Sequence, residues 1–406
     1  MFSEFYGNAE VVHRLRDMLA RERLPHAVVL AGPRGAGKYT LAVMLAQAMN
    51  CLAPAVDPQG LKPTSSVAGG GTAEAVPFPR HLRRASFRAT DGLPDFCGKC
   101  ANCVRIAQAA DLDARFAEAV EARENLREAD KKETRLFVQT HPDVLVIPPD
   151  PPQMMIKVDQ VRRVIETIYY RPAEGRERVY IFTDSAFMKE AANSLLKVLE
   201  EPPEFATIFL LTENPGELLP TIRSRAMVFT LGALGAEEIE KYLAKERPDW
   251  KPAQRTLVAR LSEGAVGRAR SFDLEAYTAA RANALTILKS AVFALSNQAS
   301  TNQGGEHSEL FKVTESYRAG AEGKEKTEAL IRTLYSLLRD LMFLQSGAAE
   351  MIRNTDISAD LRRLAETADF EWIAAASDRL AEVERGMRRN LLRSLSLDGF
   401  AAALER

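Results

Sequence analysis

Short apolar runs alternate with amphipathic stretches through the N-terminal part of the chain. Residues 26–32, 143–147, 178–182, 207–211 and 226–229 are largely apolar and short enough to be strands. Such runs, when helices separate them, are typical of a parallel sheet whose two faces are both covered. The pattern therefore predicts an α/β domain built on a parallel sheet.

Apolar residues recur every three or four positions in the stretches between these runs. This spacing predicts helices at residues 9–22, 38–50, 158–170 and 187–201. Residues 104–135 carry many charges and predict a surface helix or a helical hairpin. The helices fall between the strands, as a sheet covered on both faces requires.

The pattern changes near residue 233, where strand-like runs stop and helical periodicity continues. Residues 233–273 predict a small helical domain, and residues 274–406 predict an all-α domain with an apolar stripe that includes Leu334. A polar stretch at 297–309 marks a loop within it. We therefore predict three domains, of which the first covers residues 1–232.

Residues 52–95 interrupt the first domain. They are rich in Pro, Gly, Ser and Ala, and this composition predicts a flexible insertion. The basic sequence RHLRRASFR occupies residues 80–88, near the end of the insertion. It has two interpretations, a solvated tail and a patch that contacts phosphate groups.

A glycine-rich loop joins the first strand to the next helix. In AGPRGAGKYT, the residues Gly32, Gly35, Gly37 and Lys38 resemble the phosphate-binding pattern Gly-x-x-x-x-Gly-Lys. Small residues let successive backbone N–H groups point at phosphate oxygens, and the helix N-terminus adds a favourable dipole. The strand-loop-helix context predicts a site for ATP with Mg²⁺; the alternative is a glycine-rich turn without a ligand.

Two positions depart from what hydrolysis needs. Tyr39 stands where a Ser or Thr hydroxyl holds Mg²⁺, and Thr40 is one residue late, about 100° around the helix axis. Asp184 follows an apolar strand and is a candidate for holding Mg²⁺ or its waters. The next residue, where such ATPases carry a glutamate that polarises water, is Ser185. We therefore predict that the loop supports weak hydrolysis or none.

Four cysteines form a second candidate site. Cys97, Cys100 and Cys103 lie in CGKCANC, and Cys51 follows the helix after the glycine loop. Four thiolates are a common tetrahedral ligand set for zinc, and a site with no open position is structural rather than catalytic. The sequence predicts a structural zinc site; unrelated buried thiols are the alternative.

Two arginines precede the last apolar run. Arg223 and Arg225 lie in PTIRSRAMVF and fit either a solvated, charged turn or an arginine finger. Such a finger places a planar guanidinium beside the γ-phosphate of a neighbouring site, where it accelerates transfer by about 10³–10⁵. Position alone does not decide between the two interpretations.

Bulk composition places few limits on function. The 406 residues are 46% hydrophobic and 27% charged, as in ordinary globular proteins. With 54 basic and 55 acidic side chains the net charge is -1, so bulk electrostatics do not drive the whole chain onto nucleic acid. The polar start MFSEFYGNAE and the absence of a long uncharged apolar run predict a cytoplasmic protein with no membrane partner.

The motifs occur in an order that resembles bacterial clamp-loader AAA+ subunits. They are LPHAVVLAGPRGAGKYT, Cys51 with CGKCANC, HPDV, VDQVRRV, AANSLLKVLEEPPE and LLPTIRSRA. The resemblance is specific over about residues 3–232 and looser over 233–406. Within the family the chain is most similar to the delta-prime type of DNA polymerase III subunit, also in its ending ERGMRRNLLRSLSLDGF.

The resemblance implies roles for single residues and domains. It implies that Arg225 is a finger acting on a neighbour, that Thr212 is a sensor at the end of the fourth strand, and that Arg268 is a second sensor. Ala226 departs from the cysteine common in the family and changes a packing residue. The two helical domains become a lid and a collar, in that order.

The resemblance also implies partners. They are motor (gamma/tau) and delta subunits in a hetero-oligomeric ring, which loads a sliding clamp on primed DNA as part of a DNA polymerase holoenzyme. Two other functions stay open. One is a hydrolysing motor ATPase, against which Tyr39 and Ser185 count. The other is a nucleic-acid-binding module built on the cysteine cluster and RHLRRASFR.

Overall fold

The chain folds into two compact units. The computed structural model describes residues 1–53, 87–296, 320–388 and 400. The first unit comprises Met1–Glu238 with Gly264–Arg268, and the second comprises Ile239–Glu263 with Ala269–Arg406. Among the described helices none has the length and apolarity that a membrane span requires. The short segment Gly264–Arg268 thus belongs to the same unit as the glycine loop.

A six-stranded sheet forms the centre of the first unit. In chain order the described strands are β1 (Ala27–Ala31), β2 (Phe87–Arg88), β3 (Pro94–Asp95), β4 (Val138–His141), β5 (Val144–Ile147), β6 (Arg178–Phe182), β7 (Ala206–Thr212) and β8 (Met227–Thr230). The sheet has the spatial order β4-β5-β6-β7-β1-β8, and β2 and β3 form a separate hairpin. The strand that leads into the glycine loop therefore lies between two others.

The sheet is mixed, whereas the sequence predicted a parallel one. Neighbours from β5 to β8 run parallel, but β4 pairs antiparallel with β5, with Val138 opposite Val146. The sequence reading missed β4 because its four residues, VQTH, are mostly polar and only its two ends are buried. The other five strands lie within one residue of the predicted bounds.

Helices cover the sheet and build the second unit. The described α-helices are α1 (Ala9–Ala20), α2 (Lys38–Asn50), α3 (Ala101–Ala107), α4 (Leu112–Glu124), α5 (Glu128–Glu133), α6 (Val158–Ile168), α7 (Lys189–Glu200), α8 (Pro220–Arg223), α9 (Ala236–Glu246), α10 (Pro252–Leu261), α11 (Val266–Arg270), α12 (Leu274–Ser296), α13 (Gly320–Gln345), α14 (Ser358–Thr367) and α15 (Phe370–Arg388). The charged stretch at 104–135 thus holds several short helices.

The two faces of the sheet pack against different helices. Along β1, Val28 and Leu30 belong to a buried core that includes Leu41 of α2. Val29, on the opposite face, belongs to a second core that includes Leu195 of α7. This alternation follows the two-residue period of a strand. Because β1 is buried on both faces, its C-terminal end, where the glycine loop begins, is held in place by packing.

The second unit has a core of helices. The main cluster of buried apolar side chains in this unit comes largely from α12, α13, α14 and α15, and the side chains of α13 include Leu330, Leu334 and Leu337. This is the apolar stripe expected from the sequence. The loop predicted at 297–309 lies outside the described residues.

The end of the predicted insertion is ordered as a hairpin. Residues 54–86 lie outside the described part, and with them most of RHLRRASFR. The β2–β3 hairpin, however, is tied to the first unit: Arg16 donates to Asp91 at 2.7 Å, and the backbone of Phe2 donates to buried Asp95 at 3.2 Å. The last residues of the predicted insertion thus have distant partners that local composition does not reveal, and the flexibility of 52–95 stays a prediction.

Candidate nucleotide site and cysteine cluster

The glycine loop lies between the end of β1 and the start of α2, and two of its glycines have no substitute. Gly32 has a φ of +142°, and a Cβ there would collide with the carbonyl oxygen of Leu231. Gly35 has a φ of +84°, and a Cβ there would lie 3.0 Å from the backbone nitrogen of Arg268. Both positions combine a left-handed backbone with close approach of another backbone, which only glycine tolerates.

Lys38 folds back over the loop. Its Nζ donates to the carbonyl oxygen of Gly32 at 2.5 Å and to that of Pro33 at 3.0 Å. Burial lowers the pKa of Lys38, while the nearby carboxylates of Glu213 and Asp184 act to raise it. To bind a phosphate, this ammonium group must exchange the two carbonyl oxygens for phosphate oxygens.

The segment that carries Arg268 packs directly on the glycine loop. The backbone N–H of Gly267 donates to the carbonyl oxygen of Gly35 at 2.8 Å. A Cβ on Gly267 would lie 2.9 Å from that same oxygen. Arg268 is also among the cations that lower the pKa of Lys38. The structure thus brings Gly35, Lys38 and Arg268 together.

The ends of β6 and β7 place three further groups at this edge of the sheet. Asp184 follows β6, and its Oδ1 accepts from the backbone N–H of Ala186 at 2.8 Å. Buried Ser185 donates its hydroxyl to Oε2 of Glu217 at 2.8 Å. Thr212, the last residue of β7, has its Oγ1 3.0 Å from Ser185 Oγ. The hydroxyl of Ser185, the residue after Asp184, therefore lies next to that of Thr212.

Tyr39 turns away from the candidate phosphate site. Its hydroxyl donates to the carbonyl oxygen of Ala109 at 2.5 Å, and its ring packs against the core on the α2 side of the sheet. Burial raises the pKa of Tyr39. Thr40 is exposed. The tyrosine hydroxyl is thus committed to the segment after α3.

Arg225 lies between α8 and β8, the edge strand of the sheet. Its Nη2 donates to Oε1 of Glu200 at 2.6 Å, and its Nη1 donates to the carbonyl oxygen of Thr221 at 3.0 Å. The side chain is 35% exposed. An exposed ion pair of this kind contributes only about 0–1 kcal/mol, so the guanidinium can exchange Glu200 for another anion.

The four cysteines converge although Cys51 precedes the others by many residues. Their Sγ atoms all lie within 4.8 Å of one another, and Cys51 and Cys103 are buried. Backbone N–H groups point at the sulfurs: Cys100 donates to Cys97 Sγ at 3.3 Å, and Cys97 donates to Cys51 Sγ at 3.4 Å. A group of four sulfurs this compact, supported by backbone donors, could hold a metal ion.

Electrostatics in the cluster also suit a cation. A hydrogen bond with Cys103 lowers the pKa of the Cys51 thiol to about 5. The same hydrogen bond raises the pKa of Cys103, which keeps its proton. Without a metal, one thiol of this pair is deprotonated and the other keeps its proton. A metal ion that displaced the protons would stabilise all four cysteines as thiolates.

A profile of known proteins matches part of the first unit. The family described as "DNA polymerase III, delta subunit" matches residues 80–235. The tau subunit of DNA polymerase III from Escherichia coli is 26% identical over 379 residues, which are 90% of this chain and 47% of that protein. Both matches are to subunits of DNA polymerase III. It spans about half the length of that curated relative.

Other proteins that resemble this chain have similar names. The DNA polymerase III tau/gamma subunit of Haemophilus influenzae is 26% identical over 60% of this chain and 25% of its own length. A solved structure of a DNA polymerase III gamma subunit-related protein from Thermotoga maritima is 22% identical, with a TM-score of 0.34; the match covers 73% of this chain and 90% of that one. The names of the sequence relatives and of the matching family agree with the resemblance to DNA polymerase III subunits seen in the motifs.

Sequence reasoning missed the residues that complete the site from a distance. Glu213 and Glu217 lie in TENPGEL, directly after β7, and their proximity to Lys38 and Ser185 has no local signal. Gly267 also gave no sign of its contact with Gly35. An acidic residue after a buried strand was the one available hint; it singled out Asp184, and it also applied to Glu213, which follows β7 directly.

Proposed function

We propose that this chain is a delta-prime-like subunit of the DNA polymerase III clamp loader. It joins motor (gamma/tau) and delta subunits in a hetero-oligomeric ring. In that ring it donates Arg225 to a neighbour's ATP site and itself hydrolyses ATP weakly or not at all. The output is a sliding clamp loaded on primed DNA.

The observation that carries this proposal is the orientation of Tyr39. The residue that should offer a hydroxyl to Mg²⁺ gives it instead to the carbonyl oxygen of Ala109, at 2.5 Å. Ser185 has no basicity for activating water and donates its proton to Glu217. The hydroxyl groups of Tyr39 and Ser185 thus have other partners. The loop can still hold a nucleotide's phosphates, through Gly32, Gly35, Gly37 and Lys38, without hydrolysing the nucleotide.

Two neighbours of the loop complete a nucleotide-binding role. Thr212 and Arg268 act as sensors, the first at the end of β7 and the second on the segment packed against Gly35. Asp184 holds Mg²⁺ or its waters if Mg²⁺ enters with ATP. Residues 233–273 act as a lid and residues 274–406 as a collar that joins subunits.

Zinc is the metal we assign to the cysteine cluster. Cys51, Cys97, Cys100 and Cys103 would hold it as four thiolates, the ligand set of closed structural sites. Bound zinc would supply cross-linking of the end of α2 to the start of α3 and no reactive position.

A hydrolysing motor subunit is the second candidate. The names of the relatives, tau and gamma, favour it, and Asp184 is retained. The two proposals differ in where ATP turns over.

Turnover by an assembled loader distinguishes them. In a ring of this chain with its motor and delta partners, Arg225→Ala is expected to lower DNA-stimulated ATP turnover at the neighbouring site that it serves by about 10³ or more. Arg223→Ala, two residues away on the same exposed turn, is the matched control and should leave turnover unchanged. Robust turnover by the isolated chain, or no effect of Arg225→Ala, would favour the motor subunit.

A further inference from the structure

The serine that replaces the water-activating glutamate has a specific partner. Ser185 Oγ donates to Glu217 Oε2 at 2.8 Å, and the hydroxyl of Thr212 lies 3.5 Å from the same oxygen. Ser185 and Thr212 are both buried, with 6% and 3% of their surfaces exposed. Glu217 thus reaches from an exposed turn into a buried pair of hydroxyl groups.

This partner explains why a glutamate does not fit at position 185. A carboxylate there would approach the carboxylate of Glu217, and two carboxylates that share a site cannot both be ionised easily. A hydroxyl is compatible because it donates the proton that Glu217 accepts. Ser185 and Glu217 are therefore a matched donor and acceptor.

The turn that Glu217 anchors leads directly to the finger. Leu218 is buried and is followed by α8, whose Ile222 is fully buried. Arg225 is then tied to α8, since its backbone N–H donates to Ile222 O at 3.0 Å and its guanidinium donates to Thr221 O at 3.0 Å. A shift of α8 would therefore carry the guanidinium with it.

A second path joins the same two places. Helix α7 begins at Lys189, shortly after Ser185, and ends at Glu200. The Glu200 carboxylate then accepts from the Arg225 guanidinium at 2.6 Å. Ser185 thus sits where both paths to the finger start.

We propose that Glu217 is a positioning residue for Arg225, and that the hydrogen bond from Ser185 holds the Glu217 carboxylate in place. This inference rests on the proposed function, since it concerns the accuracy with which Arg225 reaches a neighbour's ATP. The position that activates water in a hydrolysing subunit here fixes the turn in front of the finger. Glu217 touches neither nucleotide nor metal in this role.

The test measures ATP turnover by the assembled loader. Glu217→Ala and Ser185→Ala are each expected to lower the maximal turnover by about tenfold, because a misplacement well under 1 Å weakens transition-state contacts without abolishing them. The KM for ATP at the neighbour's site should stay unchanged. Glu217→Gln should retain most of the activity, since its amide oxygen still accepts from Ser185. Glu201→Gln, an exposed glutamate beyond α7, is the control.

Combined variants separate positioning from a general loss of structure. Because Glu217 acts through Arg225, Glu217→Ala should have no further effect when Arg225→Ala is present. Ser185→Glu alone should lose activity, and Ser185→Glu with Glu217→Gln should recover it, since donor and acceptor are then exchanged. Additive losses, or no recovery in the exchanged pair, would overturn the inference.

The two proposals fail in different ways. Turnover that falls with Arg225→Ala but not with Glu217→Ala would overturn this inference alone. Turnover that is insensitive to Arg225→Ala would overturn the proposed function, and this inference with it.

Discussion

The substitution Gly267→Ala tests whether the loop and the segment that carries Arg268 are packed as tightly as the structure indicates. A Cβ on Gly267 would lie 2.9 Å from the oxygen and 3.1 Å from the Cα of Gly35, whereas ordinary contacts begin at 3.4 Å. Both atoms belong to backbone, so the two segments must separate by roughly 0.5 Å, which packing at native density resists. The hydrogen bond between them, now 2.8 Å, would lengthen beyond good geometry.

The size of the effect follows from opposing contributions. Overpacking costs about 1–3 kcal/mol, and the weakened hydrogen bond adds up to about 1 kcal/mol. Alanine recovers about 0.4–1 kcal/mol by restricting the unfolded chain. The free energy of unfolding should therefore fall by about 1–3 kcal/mol, and the melting temperature by about 5 °C for a domain of this size.

Thermal unfolding of the purified chain is the assay. Gly235→Ala is the matched control, because a Cβ there would lie 3.7 Å from Oε2 of Glu238, at an ordinary contact distance. The control should melt like the unmodified chain. Equal melting temperatures for Gly267→Ala and Gly235→Ala would refute the tight contact between Gly35 and Gly267.

Three further predictions concern other parts of the first unit. Tyr39→Phe should lower the free energy of unfolding by about 1–3 kcal/mol, measured by denaturant titration, because the carbonyl oxygen of Ala109 loses its donor. Burial lowers the pKa of His141, so the unfolded chain takes up a proton before the folded chain does as the pH falls. The free energy of unfolding therefore falls as the pH drops through the ordinary imidazole pKa of about 6.5. His141→Asn should reduce this loss of stability between about pH 7 and pH 5. Cys103→Ser should lower the zinc content of the purified protein well below one ion per chain and reduce its melting temperature.

Each of these predictions has a result that would contradict it. Tyr170→Phe removes an exposed hydroxyl and should not change stability; an equal loss from it would contradict the argument on Tyr39. A pH profile of His141→Asn that matches that of the unmodified chain would contradict the argument on His141. Full zinc content in Cys103→Ser would exclude that thiol as a ligand.

The strands of the sheet were predictable from sequence for a physical reason. Residues 179–182 and 208–211 are buried on both faces, so their apolar runs are unbroken and easy to recognise. Strand β4 was not predictable because its middle residues, Gln139 and Thr140, are polar and not buried. Its pairing with β5 also makes the sheet mixed, which no local pattern indicated.

The candidate sites divide in a similar way. Local spacing was enough to single out the glycine loop and CGKCANC, since backbone geometry and ligand chemistry impose those patterns. The partner of Tyr39 lies 70 residues away, and the partner of Ser185 lies 32 residues away. From sequence, both residues registered only as missing catalytic parts. Their actual roles depend on tertiary contacts, which a single sequence does not display.

The most direct test of the central claim compares two variants of this chain in the assembled loader. DNA-stimulated ATP turnover is measured with Lys38→Ala, which removes the lysine of its own loop, and with Arg225→Ala, which removes the finger. The account predicts unchanged maximal turnover for Lys38→Ala and, for Arg225→Ala, a fall of about 10³ or more at the neighbouring site that the finger serves. A fall with Lys38→Ala and unchanged turnover with Arg225→Ala would mean that ATP is hydrolysed at this chain's own loop.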